Sequence, residues 1–228
     1  MLSENDVNFR WQIIVEPKKE GIKVGCDQGK LTVVTFSDGQ IPLQTDKHGH
    51  SLDSIIETMS NKKIGSKAFH KATCHRTNFI HWSVKQMKYD GIKEVGFEEI
   101  ININKYRKTI RKMLHWVNTE IRDTMKSETD RAGVLFTLQS SPCRSQRCSG
   151  CSIVRKSNRK GKLYTCNRCG MIMDADLNAS KNHAIDLPDI PLWLRESGLN
   201  RKGFLWTPDG FFDLDGVELR VPLVATIK

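Results

Sequence analysis

Apolar positions along this chain switch between two periods. Residues 22–26 read as a buried strand that ends at Asp27, and Gln28-Gly29 follows as a turn. Residues 31–36 read as a second strand. A short third strand is expected at 41–43, where Pro42 argues for an edge or a strand end, and 9–15 forms a lead-in strand. From residue 51 the spacing becomes helical, with Leu52, Ile55, Ile56 and Met59 on one face. Gly65 interrupts, and a long helix runs from Ser66 to about Tyr89. Phe69, Ala72, Phe79, Ile80 and Val84 are its apolar positions; Lys67, Lys71, Arg76 and Lys85 are its basic ones. His70, His75 and His81 read as ordinary, partly exposed residues of that helix. Residues 92–100 form a strand ending at Glu98 and Glu99. An amphipathic helix then spans about 105–130, with Tyr106, Ile110, Val117, Ile121 and Met125 as a core stripe and Gly133 closing it. A buried strand at 134–138 and a helix at about 177–185 complete the regular part. Beyond 185 the chain is rich in Pro and aromatic residues. A hairpin is expected there from 211–214 and 217–219, across an Asp215-Gly216 type I′ turn. This tail either packs back on the core or uses its Trp and Phe residues as a docking surface.

Strands alternating with helices imply an α/β domain with a mixed sheet flanked by helices. The division expected is a lead-in (1–20), a first core part (21–140), an insert (141–173), a last core motif (174–186) and a tail (187–228). The net charge of +10 and its distribution point to a polyanion. Residues 62–88 carry seven Lys/Arg, and 143–169 carry eight, with no acidic residue in either run. Lys67, Lys71, Arg76, Lys85, Arg155, Lys156, Arg159 and Lys160 are the expected nucleic-acid contacts. The N-terminus is polar and acidic, and no run approaches a membrane span, so a cytoplasmic protein with no membrane partner is expected.

Cys148/Cys151 and Cys166/Cys169 are two C-x-x-C pairs with fourteen residues between them. Seven cysteines, an odd number without a secretory signal, favour metal over disulfides. Four thiolates make a closed tetrahedral shell, the signature of structural Zn²⁺. Acidic residues stand at three element ends: Asp27, Glu98/Glu99 and Asp174/Asp176. Either Asp174 or Asp176 is also a natural helix N-cap. If the strands lie side by side, these carboxylates converge. With no His or Cys among them, they would bind hard ions, Mg²⁺ or Mn²⁺. Gly25 and Gly96 each precede a carboxylate by two positions, on the same strand face, and leave room beside it.

The motifs Gly25-Cys26-Asp27-Gln28-Gly29, Val95-Gly96-Phe97-Glu98-Glu99, Ser145-Gln146-x-Cys148-x-x-Cys151, Cys166-x-x-Cys169-Gly170 and Asp174-Ala-Asp176-Leu-Asn178-Ala-x-x-Asn182 occur in that order. Together they resemble the RuvC nuclease half of the TnpB proteins and the related type V CRISPR effectors. The resemblance covers roughly residues 20–185. It implies an RNase H-like (RuvC) fold with an inserted zinc ribbon, and a prokaryotic, phage or mobile-element origin. It implies Asp27, Glu98 and Asp176 as catalytic metal ligands, choosing Glu98 over Glu99 and Asp176 over Asp174. Members of the family carry a large N-terminal half that holds a guide RNA, whereas about 20 residues precede the first strand here. The expectation is therefore a Mg²⁺-dependent DNA endonuclease that selects branched or single-stranded DNA through its backbone charge. The alternatives are the nuclease portion of an RNA-guided effector, with guide RNA or a second protein chain as partner, and a non-catalytic nucleic-acid-binding protein derived from the family.

Overall fold

The computed structural model describes residues 14–29, 31–100 and 118–220. Its centre is a four-stranded sheet of β1 (Ile22–Gln28), β2 (Val34–Phe36), β3 (Ile92–Glu99) and β4 (Leu135–Ser140), in the order β2-β1-β3-β4. β2 runs antiparallel to β1, while β1, β3 and β4 are mutually parallel. The parallel connections are made by helices, as a parallel pair requires: α1 (Leu52–Ser60) and α2 (Lys67–Val84) before β3, and α3 (Asn118–Arg131) before β4.

Strand alternation gives the sheet two unlike faces. Val24, Cys26, Val95 and Phe97 point to one, where Leu52, Ile55, Ile56, Phe79, Ile80, Val84, Ile121 and Met125 of the three helices cover them as the main core. Gly25, Asp27, Gly96 and Glu98 point to the other, which is covered by α4 (Ala175–His183). Ser51 and Ser54 close α1 with a reciprocal capping box, and Ser66 caps α2, so both helices begin where their side chains can satisfy free N–H groups.

Between β4 and α4 the chain builds a separate small layer. β6 (Arg159–Lys160), β7 (Leu163–Thr165) and β8 (Ile172–Asp174) form one antiparallel sheet. β5 (Ile153–Val154) pairs instead with β9 (Phe204–Thr207), which pairs with β10 (Gly210–Phe212). Two short helices, α5 (Leu192–Glu196) and α6 (Leu199–Lys202), lead into β9.

Several expectations change. Residues 41–43 form no strand; Ile41 and Leu43 are more than half exposed, with no partner strand to bury them. β2 starts at Val34 rather than Leu31, which faces solvent. The strand at 134–138 is not buried but is the last strand of the sheet, and Leu135 and Leu138 are exposed among the described residues. The tail hairpin is made by 204–212, not by 211–219. Asp215-Gly216 still turns the chain, but φ is positive only at Gly216, so the turn is not type I′, and one bridge, Phe212 to Glu218, follows it. Part of the tail packs back on the chain: Phe204 and Trp206 are buried in a second core with Val154, Leu187, Ile190 and Leu194, and Trp193 and Phe211 are partly buried against it. The first half of the expected 105–130 helix and most of the 9–15 strand lie outside the described residues. Among the described residues no helix is long and apolar enough to cross a membrane.

Candidate active site and metal centre

The parallel register pairs Gly25 with Gly96 and Cys26 with Phe97, so one further step sets Asp27 beside Glu98. Both face α4, and Asp176 enters the same groove from the first turn of that helix. The groove has a volume of about 560 Å³ and is lined by Asp27, Glu98, Asp176, Ser145, Arg159 and Lys162, among others. Asp174 is the N-cap, its Oδ1 accepting from the N–H groups of Asp176 at 2.9 Å and Leu177 at 3.0 Å. The two acids of the motif therefore divide the work: Asp174 starts the helix and Asp176 points into the groove. Glu99 lies on the opposite strand face from Glu98.

α4 reaches the sheet only because two residues lack side chains. A Cβ on Gly25 would stand 1.9 Å from the carbonyl oxygen of Ser180 and 2.3 Å from the Ala184 nitrogen. One on Gly96 would stand 2.3 Å from the His183 oxygen. These glycines thus make room for the backbone of the helix that carries Asp176, rather than for space beside the carboxylates.

The acids sit in an unfavourable field. Burial, followed by the negative charges of Glu98 and Asp176, pushes the Asp27 carboxyl well above the ordinary range, against the opposing pull of Arg159 and Lys162. Burial also raises Glu98, opposed by a 2.6 Å hydrogen bond from Ser141 Oγ. Asp176 accepts from Arg159 Nη2 at 3.1 Å and from Lys162 Nζ. A fourth group was not anticipated. His183 is buried, with Nε2 at 3.8 Å from Asp27 Oδ1, and neither ring nitrogen has a hydrogen-bond partner. Burial and Arg144 hold its imidazole neutral. Asp27, Glu98 and His183 each offer a ligand atom within 4.8 Å of the others, with Asp176 lining the same groove. One buried and one half-buried acid sharing a space, with an unpartnered imidazole beside them, fit a divalent cation.

The four cysteines converge as the spacing requires. All four Sγ atoms lie within 4.8 Å of one another, with Cys148–Cys169 at 3.6 Å and Cys151–Cys166 at 3.5 Å. Such separations are too long for a disulfide and match thiolates about 2.3 Å from a shared ion. The two knuckles repeat one geometry. Cys148 O accepts from Ser152 N and Cys166 O from Gly170 N, each at 2.9 Å. Ser152 and Gly170 both have positive φ. Burial acts to raise the Cys166 thiol, yet the N–H groups of Cys169 and Arg168 outweigh it and draw the pKa to about 7.

Asn178 and Asn182, one turn apart on α4, fasten this ribbon to the core. Their Nδ2 groups donate to the Arg147 carbonyl at 2.8 and 2.7 Å, and Asn178 Oδ1 accepts from Ser149 N at 3.0 Å. Arg147 Nη1 returns a bond to Asn182 Oδ1 at 2.5 Å.

The basic residues divide into two groups. Lys67, Lys71, Lys85, Lys156 and Lys160 are exposed. Arg76 is instead buried between α2 and α3, with Nη2 at 3.2 Å from Glu120 Oε2. Arg155 is tied to the Lys202 carbonyl at 2.7 Å, and Arg159 belongs to the groove. Arg144 and Arg147, counted in the acid-free run, are buried in hydrogen bonds to backbone and Asn182. The count of cations in that run therefore overstates the free positive surface. Lys162, which the sequence alone did not single out, completes the groove.

Residues 119–183 match the family described as Cas12f1-like, TNB domain. A curated protein from Sulfoacidibacillus thermotolerans, the CRISPR-associated endodeoxyribonuclease Cas12f1, is 27% identical over 150 residues, or 65% of this chain. Over these residues the chain is similar to a type V CRISPR effector. Its match spans 34% of the Cas12f1 protein's own length. Among solved structures, the Cas12f1–sgRNA–target DNA complex aligns with a TM-score of 0.50 at 16% identity, covering 75% of this chain and 51% of that one. That likeness concerns the fold: a mixed α/β RuvC domain of the RNase H-like type, with a zinc ribbon between β4 and α4. In this type V effector relative, a four-thiol cluster inside a TNB domain supports a structural zinc ion.

Proposed function

We propose that this chain is a Mg²⁺- or Mn²⁺-dependent DNA endonuclease whose centre is Asp27, Glu98 and Asp176. The observation that carries the reading is the entry of those three carboxylates, from β1, β3 and α4, into one groove walled by Arg159 and Lys162. Asp27 and Glu98 would hold one divalent ion between them, and Asp176 would share in a second, as in a two-metal site. Bound ions there supply positive charge for the phosphate and lower the pKa of water, so no side-chain base is needed. The chain's own residues do the positioning. Ser141 fixes the Glu98 carboxylate, Asp174 fixes the start of α4, and Asn178 and Asn182 fix the helix against the ribbon. Arg159 and Lys162 balance Asp176 and meet the DNA backbone at the groove. Lys67, Lys71, Lys85, Lys156 and Lys160 hold the strand further out through phosphate contacts. In this reading residues 21–140 and 174–186 are the nuclease core, and 141–173 is its inserted ribbon.

Cutting of linear duplex, single-stranded and four-way DNA with Mg²⁺, against EDTA and against Asp27→Asn and Asp176→Asn, tests the proposal. We expect Mg²⁺-dependent products, best on single-stranded or branched DNA, and none from either variant. Equal cutting of all three shapes removes the shape preference, and cutting by both variants removes the site. The second reading is the nuclease portion of an RNA-guided assembly. It is favoured by the match to about a third of a CRISPR-associated endodeoxyribonuclease. RNA that co-purifies with the chain, and redirects cutting when exchanged, would select it.

A further inference from the structure

A third cluster of metal-ligating side chains lies away from both the ribbon and the groove. Residues 46–50, just before α1, form a tight loop closed by a 2.9 Å hydrogen bond from Asp46 N to His50 O. His75 faces it from α2. Asp46, His50 and His75 each present a ligand atom within 4.8 Å of the other two. Neither the loop nor α2 contributes to the carboxylate groove.

These groups can be held together in two ways, by hydrogen bonds or by a shared ion. Asp46 Oδ2 lies 3.3 Å from His50 Nδ1 and 3.4 Å from His75 Nε2. An N–H···O hydrogen bond measures about 2.7–3.2 Å, and a charge-assisted one is shorter. Both separations lie at the long end of hydrogen bonding. Ligands about 2.0–2.1 Å from a common tetrahedral ion stand about 3.3–3.4 Å apart. The two rings meet edge to face at 85°, with centroids 4.9 Å apart, so their lone pairs can turn toward one point.

The second observation is the support behind the carboxylate. Its other oxygen, Oδ1, accepts from the backbone N–H groups of His48 at 2.8 Å and His50 at 2.9 Å. This leaves Oδ2 free to face the imidazoles and fixes its direction, as the outer partners of a metal ligand do.

We propose that Asp46, His50 and His75 form a binding site for a divalent transition ion of the zinc class, separate from the ribbon zinc. Two imidazoles and one carboxylate suit Zn²⁺, Co²⁺ or Ni²⁺ and disfavour Mg²⁺ and Ca²⁺, which take oxygen ligands. Three protein ligands leave one coordination position open. Beside His50 and His75 is a hollow of about 360 Å³ lined by Thr58, Ala68, Lys71 and Ala72, which gives water or a small anion access. The ion would clip the loop to α2, the helix that displays Lys67 and Lys71. This inference does not depend on the nuclease reading.

The test is metal content of the full chain after saturation with Zn²⁺ and removal of excess. The native chain should retain one zinc equivalent more than His50→Ala and His75→Ala, and His70→Ala, altered on the same helix, should match the native chain. With Co²⁺, the equivalent lost in the His variants should lack thiolate charge-transfer absorption, while the remaining one shows it. That remaining ribbon signal also reports that the variants are folded. A single equivalent in the native chain overturns the site, as does native zinc content in His75→Ala. Loss of the second equivalent in Asp27→Asn instead would assign it to the groove and also overturn the proposal.

Discussion

The ribbon gathers four thiols and the groove three carboxylates, by opposite means. In the ribbon each pair of thiols is fixed by its own knuckle, and the two knuckles share one hydrogen-bond pattern. In the groove no two acids are neighbours in sequence, and only the parallel register of β1 and β3 and the seat of α4 unite them. Local geometry makes the first centre nearly independent of the sheet. The second is a product of the whole fold and carries its cost as buried, mutually repelling charge. The two are also linked, because Asn178 and Asn182 attach the helix bearing Asp176 to the ribbon base.

Breaking the ribbon should have the largest effect. Structural zinc contributes on the order of 10 kcal/mol to small zinc domains. Cys148→Ser or Cys166→Ser should therefore abolish ribbon zinc, loosen α4 and eliminate cutting. Zinc analysis with proteolysis of the 144–183 region reads this. A variant that cuts normally without its zinc would uncouple the two centres.

Asp27→Asn separates them from the other side. It should reduce cutting by more than about 100-fold, beyond the usual effect of losing a metal ligand's outer partner, while ribbon zinc stays. Its stability effect has the opposite sign. The Asp27 pKa is raised in the fold, so the native chain loses stability as pH rises above the unfolded carboxylate value of about 4. In EDTA, Asp27→Asn should melt higher than the native chain at pH 7, and the gap should close toward pH 4 and on adding Mg²⁺. A gap that widens on acidification would contradict the assigned shift.

Gly25→Ala probes the seat of α4. The added methyl meets the backbone of Ser180, His183 and Ala184, which no flexible side chain can relieve. Destabilisation of about 3 kcal/mol or more is expected, at the upper end for overpacking, with a matching loss of cutting. Denaturant unfolding measures it, and a change below about 1 kcal/mol would mean α4 shifts freely.

The smallest effects separate buried from free cations. Arg76→Ala should destabilise the α2–α3 contact by about 1–3 kcal/mol through the stranded Glu120. It should leave the salt dependence of DNA binding unchanged. Lys71→Ala should leave stability within about 0.5 kcal/mol and lower the salt slope by about one. The reverse pattern would exchange their roles.

What could be read from the residues alone follows the same division. The ribbon was legible because its spacing is its geometry. The alternation of strands and helices was legible from the two periods, and the element ends bearing Asp27, Glu98 and Asp176 do meet in one groove, with Asp174 as the N-cap beside it. His183 was not, because helical spacing gives no hint that a residue two turns past Asp176 lies over β1 beside Asp27. Nor was the fate of the arginines. Arg144 and Arg147 look like surface charge in a basic run, but both are saturated by buried acceptors brought from α4 and β9. The tail aromatics looked exposed for want of a visible partner, and that partner is the two-residue strand β5.

The pairing of β5 with β9 bears on how far such a protein can be trimmed. The Trp206 carbonyl accepts from Arg147 Nε, and its ring lies 5.4 Å from the Arg144 guanidinium. A miniaturised variant ending just after α4 would retain every residue assigned to the chemistry, yet strip both arginines of their cover. The shortest stable unit is thus set by a segment outside the carboxylate groove.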